Sequence, residues 1–565
     1  MNGKRLIKIL LAGTFLISLP LFARADELYA VKEFYVDSSF DVSGREKVNM
    51  VLQTISSQIY FYIEKDWWDS LSIEKRKEIN IGITELAQEF ESNIYPTLTS
   101  NFGSEWRPGI DGDNRITVAI QQMASGVAGY FNPEDEYPTA QVSTSNQREM
   151  IYLSPDSVVD PARKSFLAHE FMHLVTFNQK ERVYGISEET WLNEARSEYL
   201  STLLGYDKKY EGSNLERRVR NFIENPQDSL TEWQGKTSDY GALNLFTQYL
   251  VDHYGKNILI DSLRSKEVGI ASLNGALKKN GFSENFQQVF TYWTVAIFLN
   301  NCTISPKYCY FNENLKNFKV TPFIYFLPTS GESTLSVGSL TKDWAGTWQK
   351  IIGGKKSLRL EFNGSIQSGF KVPYVVEKPS GVYSVSFLTL NKDNKSSVII
   401  SDGNIVSLTL IPSIGNRSVN FGSKEPNYQF FWSVSSEQTS IQDEQTINDL
   451  RGKIAYLESL VAALQAQLSQ SAASSTPLAC QSLQNNLYYG MKNSQEVNCL
   501  QQFLKNQGVY PEGLVTGNFG NLTLAEVIRF QEKYKSEILT PVKLEKGTGF
   551  VGLMTRSKIN QILGS

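Results

Sequence analysis

Residues 165–178 constrain the fold of this chain more than any other stretch. On a helix, Phe166, Leu167, Phe171, Met172, Leu174, Val175 and Phe177 cover nearly every side, yet His169, Glu170 and His173 sit among them. A helix that is apolar all round is buried, and buried polar groups are costly unless they find partners. The chain must therefore build a domain around this segment and supply groups that compensate it. The text on either side predicts mixed α and β structure from residue 26 to about 328. Residues 115–120 (RITVAI) and 149–153 (EMIYL) are β-branched and aromatic, as strands are. Residues 191–204 are apolar at helical spacing with few breakers and predict a second helix.

His169 and His173 stand at i and i+4 of HEFMH, so a helix projects both imidazoles from one face, a turn apart. They are two of only three histidines in the chain. Glu170, one residue on, turns toward the open side of an ion held by the pair, where a carboxylate can take a proton from water. A bare HExxH arises by chance, and a catalytic zinc needs a third protein ligand. Residues 191–199 (WLNEARSEY) supply Glu194, with Glu198 on the same face at i+4. One carboxylate would complete the metal site, and the other would orient a ligand histidine through its free N–H. The alternative is an ordinary solvated helix face, but Trp191, Leu192, Leu200 and Leu203 require packing all round.

The text HEFMHLVTFNQ followed by WLNEARSEY resembles the glutamate-ligand zinc peptidases of the thermolysin-like gluzincin clan. Within that clan it looks like the hyicolysin family of bacterial metallopeptidases. The resemblance covers roughly residues 85 to 300. It implies an α+β zincin domain with one catalytic Zn2+, His169, His173 and Glu194 as ligands, Glu170 as general base and Glu198 as partner of a ligand histidine. It also implies a Tyr or His donor for the developing oxyanion. Tyr240, in SDYGA before an apolar helix, is the candidate, and a core tyrosine at a helix start is the alternative. His253 reads as structural. Such enzymes hold substrate as an added strand along a sheet edge. Ala128, Gly129, Tyr130 and Phe131, ahead of EMIYL, match that edge in position, with a glycine-rich turn as the alternative. Residues 111–114 (DGDN) read as an Asx-rich turn rather than a calcium loop. No acidic cluster of the amine-binding kind is found, which favours an endopeptidase over an aminopeptidase.

At 565 residues the chain exceeds one ordinary core. Residues 329–436 change to period two. Leu358, Leu360 and Phe362 alternate with Arg359 and Glu361 before a turn at Asn363-Gly364, and Val406, Leu408 and Leu410 follow a turn at Asp402-Gly403. Such repeats predict a β-sandwich with Trp344, Trp348 and Trp432 in its core. Within 437–477, Ile447, Leu450, Ile454, Leu457, Val461, Leu464 and Leu468 alternate steps of three and four. That spacing predicts a short coiled coil, acting as a spacer or as a weak self-association seam. Residues 469–477 have linker composition.

Residues 478–565 predict a small domain of apolar helices punctuated by glycines. VNCLQQFL at 497–504, Gly508-Val509-Tyr510, TGNFG at 516–520 with Thr523, the RFQ that ends at Gln531, and GFVG at 549–552 with Thr555 form its motif. The motif resembles the three-helix peptidoglycan-binding domain of bacterial wall enzymes, which implies peptidoglycan as a partner. Residues 533–544 are an insertion in that pattern.

The first 25 residues read as a cleaved export signal: Lys4, Arg5 and Lys8, an apolar stretch over 9–22, then Ala23-Arg24-Ala25. The four cysteines fall in two close pairs and predict disulfides 302–309 and 480–499 in an oxidising compartment. With 55 basic residues against 59 acidic and no concentrated basic face, nucleic acid is not an expected partner. The expectation is a secreted or envelope-associated bacterial zinc endopeptidase, acting on proteins and held at the wall by its C-terminal domain. Two alternatives stand beside it: an endopeptidase for peptidoglycan cross-links, and an inactive wall-binding surface protein.

Overall fold

The computed structural model describes residues 25–328, 333–354, 357–366, 369–401, 404–415, 425–436, 454, 457, 482–507 and 515–564. The export signal up to residue 24, the turn at Asp402-Gly403, the 469–477 linker, Cys480 and Gly508-Val509-Tyr510 lie outside the described residues. So does the heptad, apart from Ile454 and Leu457, which are both exposed. The chain divides into two compact units, Met1–Thr439 and Ser440–Ser565.

In the first unit, β1 (Val31–Tyr35), β2 (Lys47–Ile55), β3 (Ile59–Glu64), β4 (Ile116–Ile120), β5 (Gly129–Phe131) and β6 (Met150–Leu153) form one sheet. Their order is β1-β2-β3-β4-β6-β5. β3, β4 and β6 run parallel, and β5 closes the edge antiparallel to β6. The sequence of β3, IYFYIE, is buried along its whole length. Ile59, Phe61 and Ile63 enter the core beneath the helices, while Tyr60 and Tyr62 join Phe34, Met50 and Tyr152 in a second apolar layer. Alternation here sorts side chains between two cores rather than between core and water.

Among the helices of this unit are α1 (Ile73–Glu89), α2 (Arg163–Phe177), α3 (Thr190–Leu203), α4 (Asn214–Glu224), α5 (Thr237–Tyr254) and α6 (Phe286–Leu299). α2 packs on β5, β6 and α3, so most of its apolar surface is buried. A wider π-helical turn, Asn178–Arg182, continues α2 and carries Lys180 into the interior. The Asp111 loop is a pair of Asx turns: Asp113 N donates to Asp111 Oδ1 at 2.8 Å, and Arg115 N donates to Asp113 Oδ1 at 3.0 Å. Asp113 is further engaged by Tyr60 Oη at 2.7 Å. Cys302 and Cys309 form a disulfide.

The remaining strands of this unit are β7 (Phe323–Leu327), β8 (Thr334–Thr341), β9 (Gln349–Gly353), β10 (Leu358–Gly364), β11 (Phe370–Lys371), β12 (Pro373–Glu377), β13 (Tyr383–Phe387), β14 (Lys395–Ile400), β15 (Ser407–Leu410), β16 (Ser413–Ile414) and β17 (Tyr428–Ser436). A four-stranded sheet, β14-β10-β17-β8, and a five-stranded sheet, β13-β12-β15-β9-β7, share a core between them. Trp344, Trp348 and Trp432 are all buried, but only Trp432 lies in the core between these sheets. Two further sequence expectations need correction. Asn363-Gly364 is no turn: both residues lie inside β10, paired with Phe431 and Phe430. Gly364 is instead a packing glycine, since a Cβ there would come 2.4 Å from the Phe370 ring. Nor does β15 alternate, because all four of its residues are buried. β15 lies inside the five-stranded sheet, which is covered on both faces there, with Val375 and Ile411 packed into the helical core. Trp344 and Trp348 join the same core, Trp348 Nε1 donating to Thr294 O of α6 at 2.9 Å.

The second unit contains α7 (Gln495–Asn506), α8 (Asn521–Lys533) and α9 (Leu553–Leu563) around Leu500, Phe503, Leu504, Val527 and Phe530. It is built from a repeated glutamine lock. Gln501 Oε1 accepts from Thr516 N and Gly517 N at 2.8 and 3.0 Å, while its Nε2 donates to Thr523 Oγ1 at 2.9 Å. Gln531 does the same with Thr548 N, Gly549 N and Thr555 Oγ1 at 2.8, 2.9 and 3.0 Å. The 533–544 insertion is part of this core through Ile538 and Leu539. Cys499 is disulfide-bonded. No helix among the described residues is long and apolar enough to cross a membrane.

Candidate metal centre

α2 and α3 lie side by side and turn their polar residues toward each other. His169 Nε2 is 3.1 Å from Glu194 Oε2, and His173 Nε2 is 3.6 Å from Glu194 Oε1. One donor atom from each residue lies within 4.8 Å of the others, and no second such group occurs among the described residues. A tetrahedral zinc with donors at about 2.0–2.1 Å holds neighbouring donors about 3.3 Å apart. The observed spacings bracket that value, and two imidazoles with one carboxylate form a donor set that suits zinc. The three side chains line a cleft of ≈ 720 Å³, which leaves space beside them for water and substrate.

The electrostatics favour a cation between the helices. Burial opposes a charged His169, but the Glu194 and Glu198 carboxylates outweigh it and push the imidazole up to about 10. Burial pulls His173 down. Burial also pushes Glu194 up, but the two imidazoles reverse this and hold it below the usual carboxylate range. Glu170 is pushed up to about 7 by burial, with His169 opposing the shift. It lines the cleft, and its carboxylate has no hydrogen-bond partner among the described residues. β5 passes close beside it. A Cβ on Gly129 would come 3.2 Å from Glu170 Cγ and 2.6 Å from Tyr152 O, so a glycine is what allows the edge strand to approach α2.

Glu198 sits behind His169, with Oε1 3.4 Å from Nδ1. Arg218 grips it with two nitrogens, Nε to Oε2 at 2.7 Å and Nη2 to Oε1 at 2.5 Å. Asn214 Nδ2 and Asn244 Nδ2 add donors to Oε2 at 3.1 and 3.4 Å. Burial alone would raise Glu198, but the Arg218 charge and His169 hold it well below the usual range. An acceptor so favoured in its ionised form, placed at Nδ1, orients the ring and leaves Nε2 for a metal. Arg218, Asn214 and Asn244 were not anticipated from the sequence. They come from α4 and α5, 16 to 46 residues beyond Glu198, and no local period ties them to it.

Tyr240 stands in the first turn of α5 and lines the same cleft. Its ring centroid is 6.5 Å from that of His169, and the Arg218 guanidinium lies over it at 4.4 Å. Burial raises its phenol. Ala128, Gly129, Tyr130 and Phe131 also border the cleft, and Gly129–Phe131 form an edge strand rather than a turn. The Tyr130 ring is stacked on Tyr152 at 4.3 Å. His253 does not line the cleft; its Nε2 is 2.9 Å from Cys309 O and its ring 4.3 Å from Tyr249.

Comparison with known proteins adds two findings. Residues 493–537 match the family model described as a putative peptidoglycan binding domain. Over 245 residues, 38% of this chain and 51% of the relative, the chain is 26% identical to the neutral metalloprotease ShpI of Staphylococcus hyicus. The chain thus spans about half the length of the curated relative it matches. It joins distant homology to a neutral metalloprotease with a match, in its second unit, to the putative peptidoglycan binding domain.

Proposed function

We propose that this chain is an exported zinc endopeptidase that hydrolyses peptide bonds in proteins, with residues 26–328 as its catalytic domain. Residues 329–436 would be its β-sandwich, and 478–565 would hold the enzyme at the bacterial wall. The observation that carries the reading is the gathering of His169, His173 and Glu194 beside an unengaged Glu170 in one cleft. The distant metalloprotease homology and the peptidoglycan-binding match support it.

Zinc bound by the three ligands would supply a Lewis acid that acidifies water and polarises a carbonyl. Glu170 takes a proton from the attacking water as its oxygen bonds to the carbonyl carbon. It then passes that proton to the amine nitrogen as the C–N bond breaks. Glu198 keeps His169 oriented through Nδ1, Tyr240 donates to the oxygen that gains charge, and the 128–131 edge receives the peptide as an added strand.

A chelation experiment tests this. Casein cleavage by the purified protein is expected to disappear on treatment with a zinc chelator and to return when zinc, but not calcium, is restored. Cleavage that survives removal of the metal would refute the reading. Purified cell wall assayed in parallel separates the rival substrate, which the C-terminal match favours: release of wall peptides with casein left intact would move the activity to cross-links.

A further inference from the structure

We propose that Arg217 is a specificity-determining residue of the cleft that receives a substrate carboxylate, so that the enzyme prefers peptides with an acidic residue beside the scissile bond. This rests on the peptidase reading and names the substrate class for the same cleft.

α4 presents two adjacent arginines to the cleft, and their surroundings differ. Arg218 is satisfied by its two-nitrogen grip on Glu198. Arg217 has one hydrogen bond, Nη2 to Asn214 Oδ1 at 2.6 Å, while its Nε is shut off from water with no acceptor. Among the described residues no carboxylate lies within ion-pairing distance of it. Glu198 cannot serve, because both of its oxygens are already taken by Arg218, Asn214, Asn244 and His169. Burial and the neighbouring Arg218 charge bear against the charged form of Arg217, and outweigh Glu198 and Asp160, which favour it from beyond ion-pairing distance. A guanidinium nevertheless stays charged in proteins. A half-buried cation with no carboxylate in ion-pairing contact is unfavourable, and an anion entering beside it offsets that cost.

Position then decides what the anion is. The Arg217 guanidinium lies 5.1 Å over the Phe166 ring, which fixes its plane. Phe166 precedes His169 by three residues on α2, and residues so spaced are neighbours on a helix face. A carboxylate meeting Arg217 therefore lies next to the metal ligands, within reach of a residue adjoining the bond to be cut. The planar fork accepts a carboxylate by paired, charge-assisted hydrogen bonds, which an uncharged amide does not match. Side-chain carboxylates and a free C-terminus share this chemistry.

The test uses the zinc-loaded full chain and quenched fluorogenic peptides in which Glu replaces Gln at one position at a time around the cleaved bond. A second set carries free or amidated C-termini. Wild type is expected to favour Glu over Gln at one position adjoining that bond, by roughly 10- to 100-fold in kcat/KM, with little response to amidation. Arg217→Gln is expected to bring that ratio near one, and Arg217→Lys to retain part of it. Equal cleavage of every Glu and Gln pair by wild type would overturn the proposal, as would a preference that survives in Arg217→Gln. A response confined to the free C-terminus would reassign the carboxylate and overturn the side-chain preference. If wild type cleaves no peptide, the peptidase reading fails separately, and fluorescence anisotropy with the same peptides decides this one. Tighter binding of the Glu peptide to wild type than to Arg217→Gln supports it, and equal binding sinks it.

Discussion

Replacing Glu170 by Gln is expected to lower kcat about 10²- to 10⁴-fold while the protein still binds zinc. The two side chains have nearly the same shape, so the close approach of Gly129 to the Glu170 methylene is kept. Glu170 is not one of the three gathered donors, so the ligand set is untouched. Its carboxylate has no hydrogen-bond partner among the described residues, and the change strands no donor. What is lost is the capacity to take a proton from water. Burial also disfavours the ionised carboxylate, so the amide should fold at least as stably. Steady-state kinetics on a casein-derived peptide, with zinc measured on the same samples, check this. Turnover within a few-fold of wild type would remove Glu170 from the role of base.

The largest expected effect on stability comes from Glu188. Arg196 lies in α3 between Glu194 and Glu198 but points the other way, into the interior, and is 0% exposed. Its Nη1 is 2.8 Å from Glu188 Oε2. Lys180, also 0% exposed, lies 3.7 Å from the same carboxylate and gives its protons to Ser262 O, Ser265 O and Glu267 O at 2.9, 2.8 and 2.5 Å. Glu188 further accepts from Gly269 N at 2.8 Å. Glu188→Ala would leave two enclosed cations without their counter-charge, and breaking such a pair costs about 3–5 kcal/mol. Urea titration should show that loss, and the melting temperature should fall by roughly 5 to 8 °C. Because α3 carries Glu194 and Glu198, zinc affinity should weaken with it although Glu188 is no ligand. A variant as stable as wild type would mean that this buried network does not hold α3 in place.

The gathering of His169, His173 and Glu194 was readable from the text because helix geometry is local. His169 and His173 share a face at i and i+4 wherever the helix lies, and Glu194 and Glu198 repeat the spacing. The environment of those residues was not readable, because it is assembled from distant elements. Arg218 reaches Glu198 from α4, Asn244 reaches it from α5, and Glu188 and Lys180 flank α3 from segments with no periodic signal. Asn363-Gly364 misled for the converse reason. Local turn preference points one way, but a glycine that makes room for the Phe370 ring is kept inside a strand by packing. β15 departs from the expected alternation because period two reports one covered face, whereas this strand is covered on both. Gln501 and Gln531 carry the plainest lesson, since the same lock closes twice in the second unit and only the contacts reveal it as a repeat.

X-ray absorption at the zinc edge of the loaded protein, with Glu194→Ala measured beside it, tests the central claim most directly. The account predicts nitrogen and oxygen donors at about 2.0–2.1 Å, the outer-shell scattering of two imidazoles, and loss of tightly held zinc in the variant. A shell containing sulfur or oxygen alone, or a variant that holds zinc as firmly as wild type, would contradict it.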